Sequence, residues 1–250
     1  MSTLLDHPRL VLAAAIILLW LFGELGAYWS KHWSPPQDDG RADLDVVLGA
    51  SLTLLALIIG FSFSMAISRY DQRKNYEEGE ANAIGTEYLR ADLLSSADAE
   101  RARRALTQYT EQRILFYQAD NIDEIEARTA QLQSELWSIV RSAAAAQPTP
   151  IVALATAGMN DVLNSQGYTE AAWRNRLPVA GWLLMVVIAT CCCALMGYNA
   201  RRGQPQFIAI LPLVLSIAFF LIADIDSPRH GMIRVVPENL IALARFLQGQ

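Results

Sequence analysis

VVLGASLTLLALIIGFSFSMAISRY, residues 46–70, carries no charge until Arg69, and its length decides the class of fold. The hydrocarbon core of a bilayer takes about 20 apolar residues of α-helix, so residues 46–68 read as a membrane span. One face of that span is not simply apolar. At 100° per residue, Thr53, Leu57, Phe61, Ser64 and Ser68 fall within an arc of roughly 80°, which sets hydroxyls beside two bulky apolar side chains. Hydroxyls gain nothing from lipid. Against a partner helix they find hydrogen-bond partners, and a ring of Leu and Phe can narrow a water column until it dewets. Read on the residues alone, ordinary helix packing ranks ahead of pore lining, with Gly49, Gly60 and Ala66 letting neighbours approach.

Working outward, the 250-residue chain is 53% hydrophobic and 18% charged, too apolar for a soluble domain and too charged to lie wholly in lipid. Residues 10–29, 178–200 and 207–223 also reach spanning length, the last being short and containing Pro212. Arg9 is the only base before the first of these and no small-residue cleavage pattern follows before Lys31, so an uncleaved span is expected rather than a signal peptide. Four spans put both termini on one side. Arg9, Arg69, Arg73, Lys74, Arg174, Arg176, Arg229 and Arg234 flank that side, against Lys31, Arg41, Arg201 and Arg202 on the other, which predicts cytoplasmic termini.

Residues 69–176 then lie in the cytoplasm. Their 12 basic and 16 acidic residues argue against nucleic acid as a partner. No proline interrupts the sequence after the second span, so that helix is expected to continue, with Tyr76, Glu80, Ala83, Ile84 and Tyr88 on one face. Asp98 is the expected cap of a helix over 99–119, with Leu106, Tyr109, Arg113 and Phe116 recurring at helical spacing. Further helices are expected over 123–146 and 151–163, and Trp173 is expected at the membrane interface within 167–177. Residues 31–45 read as a short solvated connection. The expected organisation is residues 1–68 with the first two spans, 69–177 as a cytosolic helical domain, 178–224 with the last two spans, and 225–250 as a cytosolic C-terminal segment. The fold class is all-α.

The chemistry-bearing residues form no active site. Cys191, Cys192 and Cys193 point in different directions around one span, so small apolar packing suits them better than a metal or a disulfide. His7, His32 and His230 have no metal spacing, and no nucleophile with a base and no phosphate loop is discernible, so neither an enzyme nor a cofactor is expected. Glu24 is the one acid inside a span. Such a carboxylate is functional by default, but its position five residues before Trp29 lets it stay wet, with a role at an outer mouth or in helix pairing second. Asp224 and Asp226 are expected to pair with Arg229 or Arg69. Glu77, Glu80 and Asn82 follow the second span, and in a symmetric ring they would repeat around a vestibule and bias selectivity, although a solvated or intersubunit polar face accounts for them as well.

GFSFSMAISRYDQRKN, residues 60–75, resembles the segment in which the second membrane helix of bestrophins leaves the pore neck, and DIDSPRHGMIRVVPENL, residues 224–240, resembles the turn that returns the bestrophin chain to its cytosolic domain. With EEGEANAIGTEYLRADLL, residues 77–94, these also resemble the bestrophin-like family of bacterial membrane proteins. The resemblance implies a pentameric ion channel of the inner membrane, a homo-oligomer in the lipid bilayer that passes small inorganic ions, chloride and other anions by analogy. It places Leu57 and Phe61 in the neck and Thr53 at its third level, where a hydroxyl departs from an all-apolar neck, with Ser64 and Ser68 beyond it. Animal bestrophins carry an acidic cluster after the fourth span; this chain has only Asp224, Asp226 and Glu238 there, too few oxygens for calcium, so no metal site is expected. The alternative from another class is a membrane-anchored sensor or scaffold whose cytosolic bundle binds a protein.

Overall fold

The computed structural model describes residues 5–32, 38–119, 121–199 and 205–249, and among these there is no strand. The helices are α1 (Pro8–His32), α2 (Asp38–Arg90), α3 (Ser96–Gln118), α4 (Asp123–Ala146), α5 (Pro150–Arg174), α6 (Val179–Asn199), α7 (Pro205–Asp226) and α8 (Glu238–Gln248), with a 3-10 turn at Ala91–Leu93. Four helical stretches are long and apolar enough to cross a membrane, which makes this a multi-pass membrane protein. The expected connection over 31–45 is helical at both ends, since α2 already begins at Asp38; its residues 33–37 lie outside the described residues.

The chain forms two compact units. Met1–Tyr70 with Arg176–Arg234 make the membrane unit, and Asp71–Asn175 with Val235–Gln250 make the helical unit. The 53-residue helix α2 contributes to both, as a proline-free run of good helix formers allows. Segment 225–250 is divided, its first part staying with the membrane unit.

In the membrane unit the core joins Val11, Ala15 and Leu19 of α1, Leu55 and Ala66 of α2, Met185, Ala189 and Cys193 of α6, and Leu215, Phe219 and Ile222 of α7. Apolar matching alone does not hold helices together in lipid; close van der Waals approach does. Small residues supply that approach between α1 and α6. A Cβ added to Gly26 would collide with the main chain of Ala194 and Tyr198, and one added to Gly197 with the main chain of Gly23 and Ala27. Cys192 and Cys193 are buried in this packing as free thiols, while Cys191 is exposed.

In the helical unit the driving force is water exclusion. Leu106, Tyr109 and Phe116 of α3, Leu132, Leu136, Ile139 and Val140 of α4, Val152, Met159 and Val162 of α5, and Ile84 of α2 are all buried. Each fully buried aliphatic side chain there contributes about 1.5–3 kcal/mol. Ser95, not Asp98, caps α3: its Oγ accepts from Asp98 N–H at 3.3 Å while donating to the Asp98 carboxylate at 2.7 Å. Thr149 caps α5 by accepting from Val152 N–H at 3.3 Å, with Pro150 opening the helix. Helix α5 runs on to Arg174, well past residue 163, because Thr169, Ala172 and Trp173 extend its buried face. Trp173 is therefore no interfacial anchor. Its ring packs within the unit against Phe116 at 4.9 Å and Tyr117 at 5.1 Å.

Candidate functional site

Helix α2 is the least covered of the spans. Only 11% of its most apolar window is buried, against 28%, 33% and 50% for the other three. Within residues 46–68 its buried positions are Leu55, Ser62 and Ala66, and Leu48, Ser51, Leu52, Ile58 and Ile59 are partly covered. Thr53, Leu57, Phe61, Ser64 and Ser68 are all exposed, with Leu57 at 54% and Phe61 at 65%. At 100° per residue the centre of that stripe lies about 160° from the covered face, so the two are nearly opposite. The space in front of Gly49 and Gly60, on the same open side, is empty to 4 Å. Thr53 Oγ1 donates to Gly49 O at 2.9 Å, which satisfies its proton within the helix and leaves its lone pairs facing out.

At the Arg69 end of the stripe, charged groups tie the membrane unit together. Arg69 Nη1 lies 3.5 Å from Asp226 Oδ1, and the Asp226 carboxylate also accepts from Leu177 N–H at 3.1 and 3.2 Å, capping the approach to α6. Asp224 accepts from Met232 N–H at 2.7 Å and Ile233 N–H at 2.9 Å, which fixes the turn after α7. Arg176 pairs with Asp6, and Ser227 Oγ donates to Asp6 O at 3.1 Å. Replacing Asp226 with Ala leaves the buried Leu177 N–H without an acceptor and Arg69 without its anion. A loss of about 1–3 kcal/mol is expected, read as a lower melting temperature of the detergent-solubilised protein. An unchanged melting temperature would remove Asp226 from the fold's support.

The Bestrophin-like domain matches residues 17–240 of this chain. The chain belongs to the bestrophin-like family. No curated protein sequence matches it. Among solved structures, a bacterial bestrophin homologue from Klebsiella pneumoniae superposes with a TM-score of 0.66 at 13% identity, covering 96% of each chain. A single-substitution variant of a Klebsiella pneumoniae homologue gives 0.65 at 13% identity, covering 97% of this chain and 99% of the other. A structure described as a membrane protein gives 0.66 at 12% identity over 96% of each. At such identities the likeness is one of fold.

Within this bestrophin-like fold the acids following the second span make their contacts inside the subunit. Glu77 and Glu80 are 1% and 0% exposed. Both carboxylates are enclosed by helices of their own subunit, and Glu80 borders an open groove with Tyr76, Asp161 and Tyr168. Glu77 accepts from Leu240 N–H at 2.9 Å and Asn239 Nδ2 at 2.6 Å, serving as the acceptor for the N-terminus of α8, whose dipole favours a negative charge. Glu80 pairs with Arg113, fully buried, and accepts from Thr169 Oγ1 at 2.9 Å. Burial disfavours the Arg113 charge, but Glu80 outweighs it and raises the pKa above the usual arginine value. Burial, and then the Glu80 carboxylate, push the Tyr109 and Tyr117 phenols up. Asn82 is exposed. Glu24 is exposed in α1 and accepts from Trp20 Nε1 at 3.2 Å, one helical turn away.

The partners of Glu77 and Glu80 lie 33 to 163 residues away, so no local pattern announced them, whereas the pairing of Asp226 with Arg69 is the one the sequence led to expect. Arg113 carried one signal: an arginine at helical spacing among Leu106, Tyr109 and Phe116 is a buried cation in need of an acid.

Proposed function

We propose that this protein is a homo-oligomeric, pentameric ion channel of the bacterial inner membrane, with cytoplasmic termini, in which α2 from each subunit lines the pore. Leu57 and Phe61 form the constriction, Thr53 sits at one end of it, and Ser64 and Ser68 lie toward the Arg69 end. Small anions are the conducted species by family analogy. Glu77 and Glu80 take no part, and Glu24 is a wetted carboxylate.

One observation supports this above the rest: the hydroxyl-bearing stripe of α2 is the side that its own subunit leaves bare. A span facing lipid all round has no reason to gather Thr53, Ser64, Ser68 and two glycines on the uncovered side. Copies gathered about an axis give those hydroxyls water or one another, while Leu57 and Phe61 narrow the lumen enough to dewet it. The physical role of the neck is then a barrier that a modest widening removes.

In planar bilayers the purified protein is expected to conduct, and Leu57→Ala with Phe61→Ala to raise conductance or open probability severalfold. Normal currents in the double variant would place the neck elsewhere. In a background without Cys191, Cys192 and Cys193, a cysteine at position 57 is expected to react with a small charged thiol reagent. Protection at 57 and 61 together with a stable monomer by native mass measurement would leave the spans as an anchor, and the helical unit as a scaffold.

A further inference from the structure

Three carboxylates, Glu77, Glu80 and Glu87, lie on the buried stripe of α2 in the helical unit, each 1% exposed or less. Glu77 holds the start of α8 and Glu80 holds Arg113 and Thr169. Glu87 has no comparable partner: its Oε2 is closed off from solvent and makes no hydrogen bond. It sits in the seam between α2 and α5, where Tyr76 stacks on Tyr168 at 5.9 Å and Thr169 meets Glu80 further along. At the Glu87 level α5 presents Gly158. A Cβ there would collide with Glu87 Oε2 and Arg90 Nη1, so the absent side chain is the room those two groups occupy.

We propose that Glu87 is a proton-binding site built into the seam between α2 and α5, occupied at neutral pH, whose emptying loosens α5 from α2. A neutral carboxyl suits a buried cradle in which Oε2 makes no hydrogen bond; a carboxylate does not, because Gly158 offers it no side-chain donor and Arg90, which shares the cradle, makes no hydrogen bond to that oxygen. The charged groups facing it are Arg90 from its own helix and Asp161 from α5. Asp92, in the 3-10 turn that also packs on α5, is taken by Arg103. Burial outweighs the attraction of Arg90, Asp161 adds to it, and together they push the Glu87 carboxyl up to about 8. Asp161 also lines an open groove of about 300 Å³ with Tyr76, Gly79, Asn164 and Tyr168, which brings water to the edge of the seam for proton exchange.

The sign follows from linkage. The carboxyl holds its proton to about pH 8 in the fold and to about 4.5 in the unfolded chain. Its contribution to stability is therefore fully present below about pH 4.5 and is lost as pH rises through about 8. None of this requires the protein to conduct, so the proposal stands or falls apart from the channel.

The full-length protein in detergent tests it in two ways. Infrared spectra at neutral pH are expected to contain a protonated carboxyl C=O band that fades as pH rises through about 8 and is missing in Glu87→Gln. The melting temperature of the wild type is expected to fall by several degrees between about pH 6 and about pH 9, with Glu87→Gln losing most of that fall, and the protection of α5 amides relative to their intrinsic exchange rates is expected to drop at the higher pH in the wild type alone. A wild type without the band at neutral pH overturns the proposal even if the variant fails to fold. An equal fall in melting temperature for both proteins overturns it as well.

Discussion

Gly197→Leu is expected to abolish a stable fold. The position faces the main chain of Gly23 and Ala27, so an added side chain cannot be absorbed by rotation of a neighbouring side chain, and α1 and α6 must separate. Ordinary overpacking costs about 1–3 kcal/mol where side chains can shift; a backbone contact on both sides places this change at or beyond the upper end. Separation also removes contacts around Val11, Ala15, Met185 and Ala189, and in lipid no hydrophobic force remains to draw the helices back. Size-exclusion chromatography of the solubilised protein should give aggregate where the parent gives a single species. Gly181→Leu, in the same helix with open space in front of it, is the matched control and should behave as the parent. A folded Gly197→Leu protein would mean that α1 and α6 do not approach through Gly23 and Gly197.

Arg113→Met is expected to destabilise the helical unit by about 3–5 kcal/mol, because it strands the Glu80 carboxylate at full burial with Thr169 as its remaining donor. Against a typical total of about 5–15 kcal/mol, that is a large fraction of stability. Trp173 provides the readout. Its ring lies 4.9 Å from Phe116, and the Arg113 guanidinium lies 4.6 Å from the same Phe116 ring, so loosening around Arg113 reaches the indole directly. Tryptophan fluorescence during chemical unfolding of the full chain should shift to lower denaturant. The double change Glu80→Leu with Arg113→Met removes both charges, and is expected to recover most of the loss, since an apolar pair of similar volume often matches or exceeds a buried ion pair. Equal damage in the single and double variants would show that shape, not the stranded charge, sets the penalty.

These expectations rest on features of unequal legibility. Residues 46–68 and the other apolar runs declared themselves as spans because a bilayer demands length and apolarity, both of which are local. Leu132, Leu136, Ile139 and Val140 marked the buried side of α4 for a similar reason: 3.6-residue periodicity shows which side of a helix needs company. The same periodicity grouped Thr53, Leu57, Phe61, Ser64 and Ser68. It left open whether that side was covered. It also grouped Glu80 with Ile84 and Tyr88 but did not reveal that an arginine thirty-three residues on would draw the acid inward.

What the sequence determined by itself was angular: which residues share a side of each helix, where spans begin, and that the chain is all-α and bound to membrane. The tertiary structure alone decided which neighbour takes each side. It buried Glu77 and Glu80, put Trp173 against Phe116 rather than at an interface, let the backbones of α1 and α6 touch through Gly23 and Gly197, and left one stripe of α2 uncovered. The reason is that a helix fixes its residues about its own axis through bonds reaching only four positions along the chain. Its rotation against other helices is set by side chains tens to hundreds of residues away, whose fit is a property of the assembled fold.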